Sequence, residues 1–580
     1  MDVMATAGHV DHGKSALVRA LTGMEPDRWA EERRRGLTID LGFAWTTLPS
    51  GRRVAIVDVP GHERFIGNML AGIGPVPAAL VVVAADDGWS AQTEEHVAVL
   101  DALGVRHALL AVTKADLADA APVLADARER LARTSMGAVP GVAVSSLTGE
   151  GVPEVAAALD ALLAGLPAPD PEAPVRLWID RAFTIRGAGT VVTGTLAVGS
   201  VAAGDRLRLG GREVGVRTVQ SLGAPVERAT ATARVALNLR GVAVEELARG
   251  DVLLTPGAFR STDVVDVVLG AEPERLPAEL IVHIGSAAVA ARLRPLEGPA
   301  VRLRLAGALP LRVGDRLLLR DPGARRVLGA DVRDVDPPEL RRRGAARHRA
   351  AELAGQDGVD AGAAADLARR RVVRAEDFVA MGWPVPADAE RIGPWLLAPG
   401  LTGALAGRVP QVVARYRQLR PLEPGPPVDV VRRALDLPEA ELVAAVVRPP
   451  LALREGRVVA AVADLPPAVQ RAVDAVRARL AGDPFAAPEA GDLAAAGLGP
   501  RELAAAVRGG QLVRIAEGIY LTPGIDQVAR ERLAGLAAPF TVSQARQAWA
   551  TTRRVAVPLM EWLDARDVTE RLPDNSRRLR

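Results

Sequence analysis

Two short stretches hold every lysine in the chain: Lys14 in "GHVDHGKS" (residues 8–15) and Lys114 in "AVTKADL" (residues 111–117), although Lys and Arg together number 72. A chain that otherwise uses arginine keeps lysine where a compact cation fits and a branched, planar guanidinium does not. "GHVDHGKS" reads as a glycine-rich turn between a strand, "DVMATA", and a helix, "ALVRAL". The backbone amides of such a turn surround a polyphosphate, and the helix N-terminus adds a favourable potential. Gly8 and Gly13 permit the close approach. Asp11, His12, Gly13, Lys14, Ser15 and Ala16 form the cradle, with Lys14 on the outer phosphates and the Ser15 hydroxyl on Mg²⁺.

Three further signals follow in the order an α/β nucleotide domain needs. In "RRVAIVDVPGHERF" the apolar run Val54 to Val57 delivers Asp58 to the ligand-binding edge of a parallel sheet. There Asp58 holds a water or hydroxyl on the metal, the Gly61 amide meets the γ-phosphate, and His62 orients the attacking water. In "RRRGLTIDLGF" Thr38 closes over Mg²⁺ and the γ-phosphate, so that this segment is ordered only while that phosphate is present. After the apolar strand "ALLAVT", the carboxylate of Asp116 accepts both N1–H and the exocyclic amine of guanine, a donor pair that adenine lacks. Lys114 stretches its stem beneath the base and reaches back toward the phosphate loop, while Ser145, Ser146 and Leu147 in "VSSLTG" face the guanine carbonyl. Together these residues select GTP and GDP, with Mg²⁺, over adenine nucleotides.

Residues 1 to about 335 resemble translational GTPases, whose phosphate loop, two switches and base-reading motifs match "GHVDHGKS", "RGLTID", "DVPGHERF", "TKAD" and "SSLTG" in order. One position departs: Thr113 stands where the family usually has asparagine. A hydroxyl replaces one of the bonds that the amide makes, so guanine specificity is expected to persist with weaker nucleotide affinity. The same departure occurs in the selenocysteine-specific elongation factors, the branch the chain resembles along essentially its full length. The resemblance implies ribosome-stimulated GTP hydrolysis and delivery of selenocysteyl-tRNA at UGA codons marked by an mRNA hairpin.

The elements that position these groups fit a multidomain chain. At 580 residues it exceeds one hydrophobic core and asks for about four or more domains. The α/β P-loop GTPase domain is expected over 1–170 and is closed by the Pro-rich joint at 166–174. Two β-barrel domains follow at 174–260 and 261–337, read from β-branched and polar alternation between glycine turns. In the selenocysteine branch the aminoacyl pocket lies in the first barrel, which implies roles for Asp180 and Arg181 in "WIDRAF" and for Arg234 in "ARVALNL". A selenol is anionic at neutral pH, whereas a serine hydroxyl is neutral and a thiol, with a pKa of about 8.5, mostly so. Cationic side chains in a tight pocket would therefore select selenocysteine by charge.

The tail opens on a basic stretch, Arg341 to Arg349, that reads as a solvated helix face. A coarse cycle of helices and short β pairs then suggests a C-terminal array of winged-helix domains at 338–404, 405–470, 471–525 and 526–580. In the last, Thr541 caps a short helix, and Val555, Leu559 and Trp562 form the apolar face of the next. Arg553 and Arg554 start that helix, while Arg571 and Arg577 lie on the wing, positions suited to clasping the backbone of an RNA hairpin.

Composition excludes other classes. With no cysteine, the chain makes no disulfide, zinc–thiolate or thiol-catalytic site. No apolar run reaches about 18 residues without charge, so no membrane span is expected. The start "MDVMATAGHVDHGK" has neither a basic leader nor a cleavable apolar segment, which points to the cytoplasm, and a monomer with no membrane partner is expected. A net charge of +2 gives no whole-chain attraction to nucleic acid, and a general bias toward arginine discounts any single arginine cluster. Two alternatives stand beside this reading: a general translational GTPase of unspecified cargo, and a winged-helix regulator that reads DNA and uses the first domain as a nucleotide sensor. "DVPGHE" argues against the second.

Overall fold

Ala78–Ala84 buries all seven of its residues, the mark of a strand covered on both faces. It is β4 of a sheet whose other strands are β1 (Asp2–Ala7), β2 (Gly42–Thr47), β3 (Arg53–Asp58), β5 (His107–Thr113) and β6 (Gly141–Ala143). The order is β2-β3-β1-β4-β5-β6, parallel throughout except for β2. Helices α1 (Lys14–Thr22) and α5 (Val152–Ala164) pack Leu17, Val18, Val155 and Leu159 onto one face. On the other face, α2 (Ile66–Ile73), α3 (Ala91–Ala102) and α4 (Ala121–Leu131) contribute Met69, Leu70, Val97, Leu100 and Leu131. The motif-bearing loops after β1, β5 and β6 therefore gather at the C-terminal edge of one parallel sheet.

The computed structural model describes all residues except 27–37, 39, 61–65, 75, 188, 272–276, 322, 324–325, 357 and 461–464. Gly61 and His62 lie outside the described residues, as does most of the segment before Thr38. The chain forms two compact units, residues 1–369 with 373–387, and residues 370–372 with 388–580.

Within the first unit, the segment from Arg176 to Leu254 forms a curled, mainly antiparallel sheet around a core that includes Leu177, Val192, Leu207, Val219 and Leu237. A closed six-stranded barrel follows, from Ser261–Leu269 to Arg326–Asp334. The helix Ala345–Ala354 is bolted to that barrel by Arg349, which donates to Asp266 Oδ2 at 2.8 Å, Asp334 Oδ2 at 2.5 Å and Glu352 Oε2 at 2.9 Å. Only 3% exposed, Arg349 is an internal ion-pair residue and not part of a solvated basic face. These buried pairs explain why the unit continues well past residue 337.

In the second unit, a helix–helix–helix–hairpin order occurs three times, the hairpins being Leu451–Arg454 with Arg457–Ala460, Val513–Ala516 with Ile519–Leu521, and Thr569–Arg571 with Arg577–Leu579. The last two repeats share one apolar core running from Val473 to Leu563, in which Trp549 stacks on Phe485 with centroids 5.6 Å apart. The Thr541 side chain caps the helix Val542–Ala548, as expected from the sequence. Val555 and Leu559 are buried on the following helix, Arg553–Asp564, and Trp562 packs partly buried against the same core.

Candidate functional site

The phosphate loop is shaped by positive-φ residues at Gly8 (141°), Asp11 (64°) and Gly13 (79°). A Cβ on Gly8 would lie 2.2 Å from Val82 O, so only glycine lets the loop pass β4 this closely. The loop's backbone is held from outside: Gly8 N donates to His96 Nδ1 at 3.0 Å, and Gln92 of α3 meets the His9 ring and Val10 N. His96 accepts that bond as a neutral ring, because burial pushes its pKa down to about 3. His12 is buried beneath the loop, with Nε2 2.8 Å from Asp87 Oδ2, and burial lowers its pKa despite that partner. Lys14, 6% exposed, points its ammonium to His9 O at 2.7 Å, within the cradle it was expected to serve.

Three predicted residues converge beside Lys14. Ser15 Oγ donates to Asp58 Oδ2 at 2.5 Å and lies 3.0 Å from Thr38 Oγ1. The other Asp58 oxygen accepts from Thr6 Oγ1 at 2.7 Å, and Thr6 in turn accepts from Val59 N at 3.1 Å. Burial raises the Asp58 pKa, against the opposing effects of the Lys14 charge and the two hydroxyl bonds. The set offers only oxygen donors with one carboxylate, which suits Mg²⁺ shared with phosphate oxygens. Among the described residues no group of three or more His, Cys, Asp or Glu forms a metal cage.

The base-reading end shows what Thr113 does. Its hydroxyl donates to His12 O at 2.6 Å and approaches Val83 O at 3.3 Å, so the hydroxyl bridges the base loop to the phosphate loop. Lys114 adopts a left-handed backbone (φ 55°) and pairs with Asp86 at 3.0 Å rather than with the phosphate loop. Asp116 and Leu147 are exposed, open to a base. Ser145 is buried and accepts from Thr148 N at 3.1 Å, and the buried Ser146 Oγ has no partner among the described residues. Ala16 lies in the first turn of α1.

In the curled sheet, Asp180 and Arg234 form a two-pronged pair: Arg234 Nη2 donates to Asp180 Oδ1 at 2.8 Å, and Nη1 contacts Oδ2. Thr193 Oγ1 fixes the same carboxylate at 2.7 Å. Arg181 turns the other way and donates Nη2 to Asp40 Oδ2 at 2.8 Å and to Leu41 O at 2.5 Å. Both guanidiniums lie over Phe43, at 4.0 Å for Arg234 and 5.1 Å for Arg181. A cavity of about 210 Å³ opens between these arginines, Phe43 and Trp45. Thr6, His96, Asp40 and Phe43 were not picked out from the sequence. Thr6 had a signal, a polar residue inside the buried run "VMATA"; the other three reveal their partners only in three dimensions.

In the last hairpin unit the four predicted arginines divide. Arg553 is exposed at the start of its helix. Arg554 donates to Ala487 O at 2.6 Å and Pro488 O at 3.3 Å, tying its helix to the preceding repeat. Arg571 is exposed and bonded to Asn575 Oδ1 at 3.0 Å. Arg577, expected at the surface of the wing, is 5% exposed, lies 3.4 Å from Asp564 Oδ2, and donates to Asn575 O at 2.7 Å.

Comparison with known proteins matches residues 1–165 to the elongation factor Tu GTP binding domain, 267–339 to the selenocysteine-specific elongation factor beta-barrel domain, and 531–579 to the elongation factor SelB winged helix. The chain is 37% identical over 470 residues to the selenocysteine-specific elongation factor of Escherichia coli, covering 77% of this chain and 75% of that protein. It is 40% identical over 337 residues to the protein of the same description from Desulfomicrobium baculatum, covering 55% and 53%. A crystal structure of a bacterial selenocysteine-specific elongation factor superposes with a TM-score of 0.78 at 26% identity, covering 100% of this chain and 99% of that one.

Proposed function

The chain belongs to the selenocysteine-specific elongation factors, GTP-hydrolysing factors that deliver selenocysteyl-tRNA, and from that premise we propose which of its residues do each part of the work. Asp116, with Ser145, Ser146 and Leu147, reads guanine. Thr113 substitutes one hydroxyl bond for the usual amide, and Lys114 leaves Asp86 to cover the base. The cradle from Asp11 to Ala16 holds the phosphates, with Lys14 giving up His9 O for them. Ser15, Thr38 and Asp58 would hold Mg²⁺, which would supply charge neutralisation at the phosphates. Gly61 and His62 contact the γ-phosphate and orient water; neither needs a change in covalent bonding of its own, since phosphoryl transfer rests on positioning and charge. Loss of the γ-phosphate removes what holds Thr38.

At the cargo end, Asp180, Arg181 and Arg234 recognise the selenolate by charge. One observation carries this: Arg181 Nε is buried and has no hydrogen-bond partner among the described residues, beside the neutralised Asp180–Arg234 pair. A buried donor left open asks for an acceptor, and an anionic selenolate meets that need better than a neutral hydroxyl. In the tail, the last winged helix grips the mRNA hairpin with Arg553 and Arg571, while Arg554 and Arg577 hold the surface in shape. Such a factor acts as a monomer on cytoplasmic ribosomes, with no membrane partner. Among the described residues no helix is long and apolar enough to cross a membrane.

The test is Arg181→Leu in the GTP-loaded protein. The preference for selenocysteyl- over seryl-tRNA should fall by about tenfold or more, or roughly 1.4 kcal/mol, with GTP affinity unchanged. An equal loss for both tRNAs would place Arg181 on a part of the tRNA common to both.

A further inference from the structure

The cargo pocket and the nucleotide site meet in one short stretch. Thr38 sits at the Ser15–Asp58 pair, with its hydroxyl 3.0 Å from Ser15 Oγ. Leu41, three residues on, is 3% exposed in the core beneath the sheet, and Gly42 begins β2 in register with Asp58. Asp40 lies between the two, the acidic residue between a nucleotide-dependent end and an anchored end. Because a residue spans at most about 3.6 Å of chain, a Thr38 that withdraws beyond the reach of two residues, about 7 Å, must pull Asp40 with it, whereas the packed Leu41 stays.

Two partners of Asp40 belong to the cargo domain. One oxygen accepts from Arg181 at 2.8 Å, and the other lies 3.9 Å from Arg249 Nη1. Arg249 in turn donates to Asn68 Oδ1 of α2 at 2.6 Å, the helix that follows the second switch segment. Arg181 donates Nη2 to Asp40 and the Leu41 carbonyl and lies over Phe43, which leaves its Nε facing no partner among the described residues.

We propose that Asp40 is the positioning residue that reports the nucleotide state to the cargo pocket: while Thr38 is held at the nucleotide, Asp40 fixes Arg181 with its Nε open for the selenolate. When Thr38 is released, Asp40 leaves, Arg181 keeps only the Leu41 carbonyl, and the donor is no longer preset. The inference rests on the assignment of Asp180, Arg181 and Arg234 to the cargo pocket. By linkage, bound cargo must favour the GTP state by the same factor.

The experiment compares the affinity of the full chain for selenocysteyl-tRNA when loaded with a non-hydrolysable GTP analogue and with GDP. Asp40→Asn should lower the GTP-state affinity by about tenfold, within the usual range of allosteric coupling, and leave GDP-state binding and tRNA-free GTP affinity unchanged. Asp40→Glu should restore part of the loss. Arg249→Gln, a second and milder route to the same carboxylate, should shift the ratio in the same direction. In an Arg181→Gln background Asp40→Asn should add nothing, because Asp40 acts through Arg181. An unchanged GTP-to-GDP ratio in Asp40→Asn and Arg249→Gln overturns the proposal. So does tighter cargo binding by Asp40→Asn, which would make Asp40 a screen of positive charge rather than an organiser. If the wild-type chain itself fails to prefer selenocysteyl- over seryl-tRNA, the pocket assignment falls, and the coupling with it; that result is separable because it appears before any substitution.

Discussion

The nucleotide end of this chain and the winged-helix end proposed to hold RNA use cationic side chains in opposite ways. Lys14 is 6% exposed and aimed into a loop whose conformation is fixed by Gly8, Gly13 and His96. Arg553 and Arg571 are exposed on a helix start and a wing, and the buried Arg577 is turned inward to Asp564. Phosphoryl transfer needs a few groups in fixed places. A grip on an RNA backbone needs summed positive charge and tolerates exchange among its members. One lysine is therefore irreplaceable at the first site, and no single arginine is at the second.

Substitutions at the two ends can break this contrast. Lys14→Ala should reduce GTP affinity by at least about 100-fold, or some 2.7 kcal/mol, without altering hairpin affinity, as read by fluorescent-nucleotide titration and filter binding. A loss of both would couple the two ends in a way the contrast denies. Asp180→Asn should weaken selenocysteyl-tRNA binding by about tenfold or more and destabilise the first unit, because removing one partner of a buried pair strands Arg234 at a cost of up to about 3–5 kcal/mol. Arg553→Glu should cost roughly tenfold in hairpin affinity and reduce the salt slope by about one, whereas Arg577→Glu should unfold the wing, seen as lost hydrogen-exchange protection there.

Smaller effects sharpen the contrast. Thr113→Val keeps shape but deletes the bond to His12 O, and should weaken GTP by about 1 kcal/mol, near fivefold. Acid should act on one end first. His96, lowered to about 3 by burial, and His12, also lowered by burial, stay neutral in the fold, while the unfolded chain protonates both below about 6.5. The unfolded state thus binds more protons as pH drops from about 6.5 toward 3, and the nucleotide domain loses stability through that window. No histidine follows His348. In the tail, Glu423 is held down to about 2 by hydrogen bonds from Tyr416, Arg420 and Arg457, so its contribution, present above the ordinary carboxylate pKa, is lost only as pH falls toward that value. Hydrogen exchange at pH 7 and pH 5 should show loosening in the first domain and none around Glu423.

The same contrast decides what was legible in the sequence. The motif order along β1, β3, β5 and β6 places Lys14, Ser15, Asp58 and Thr113 because a parallel sheet leaves its loops one edge to occupy. Barrels and winged helices follow from alternation and turn residues. Partner choice was not legible: Arg234, far away in the sequence, is the one that pairs with Asp180, and adjacent Asp180 and Arg181 point to different partners. Asp180 sits in the bend just before the strand that Arg181 begins, so chain proximity says nothing about their pairing. Arg349 and Arg577 misled for a related reason, since a buried arginine and a solvated one are written with the same letter until their carboxylates are located.

The most direct measurement is equilibrium binding of the GTP-loaded protein to selenocysteyl-tRNA and to the same tRNA charged with serine. A preference of at least about 100-fold, roughly 2.7 kcal/mol, is predicted from a pocket with an open buried guanidinium donor. Near-equal binding would contradict recognition of the selenolate by Asp180, Arg181 and Arg234.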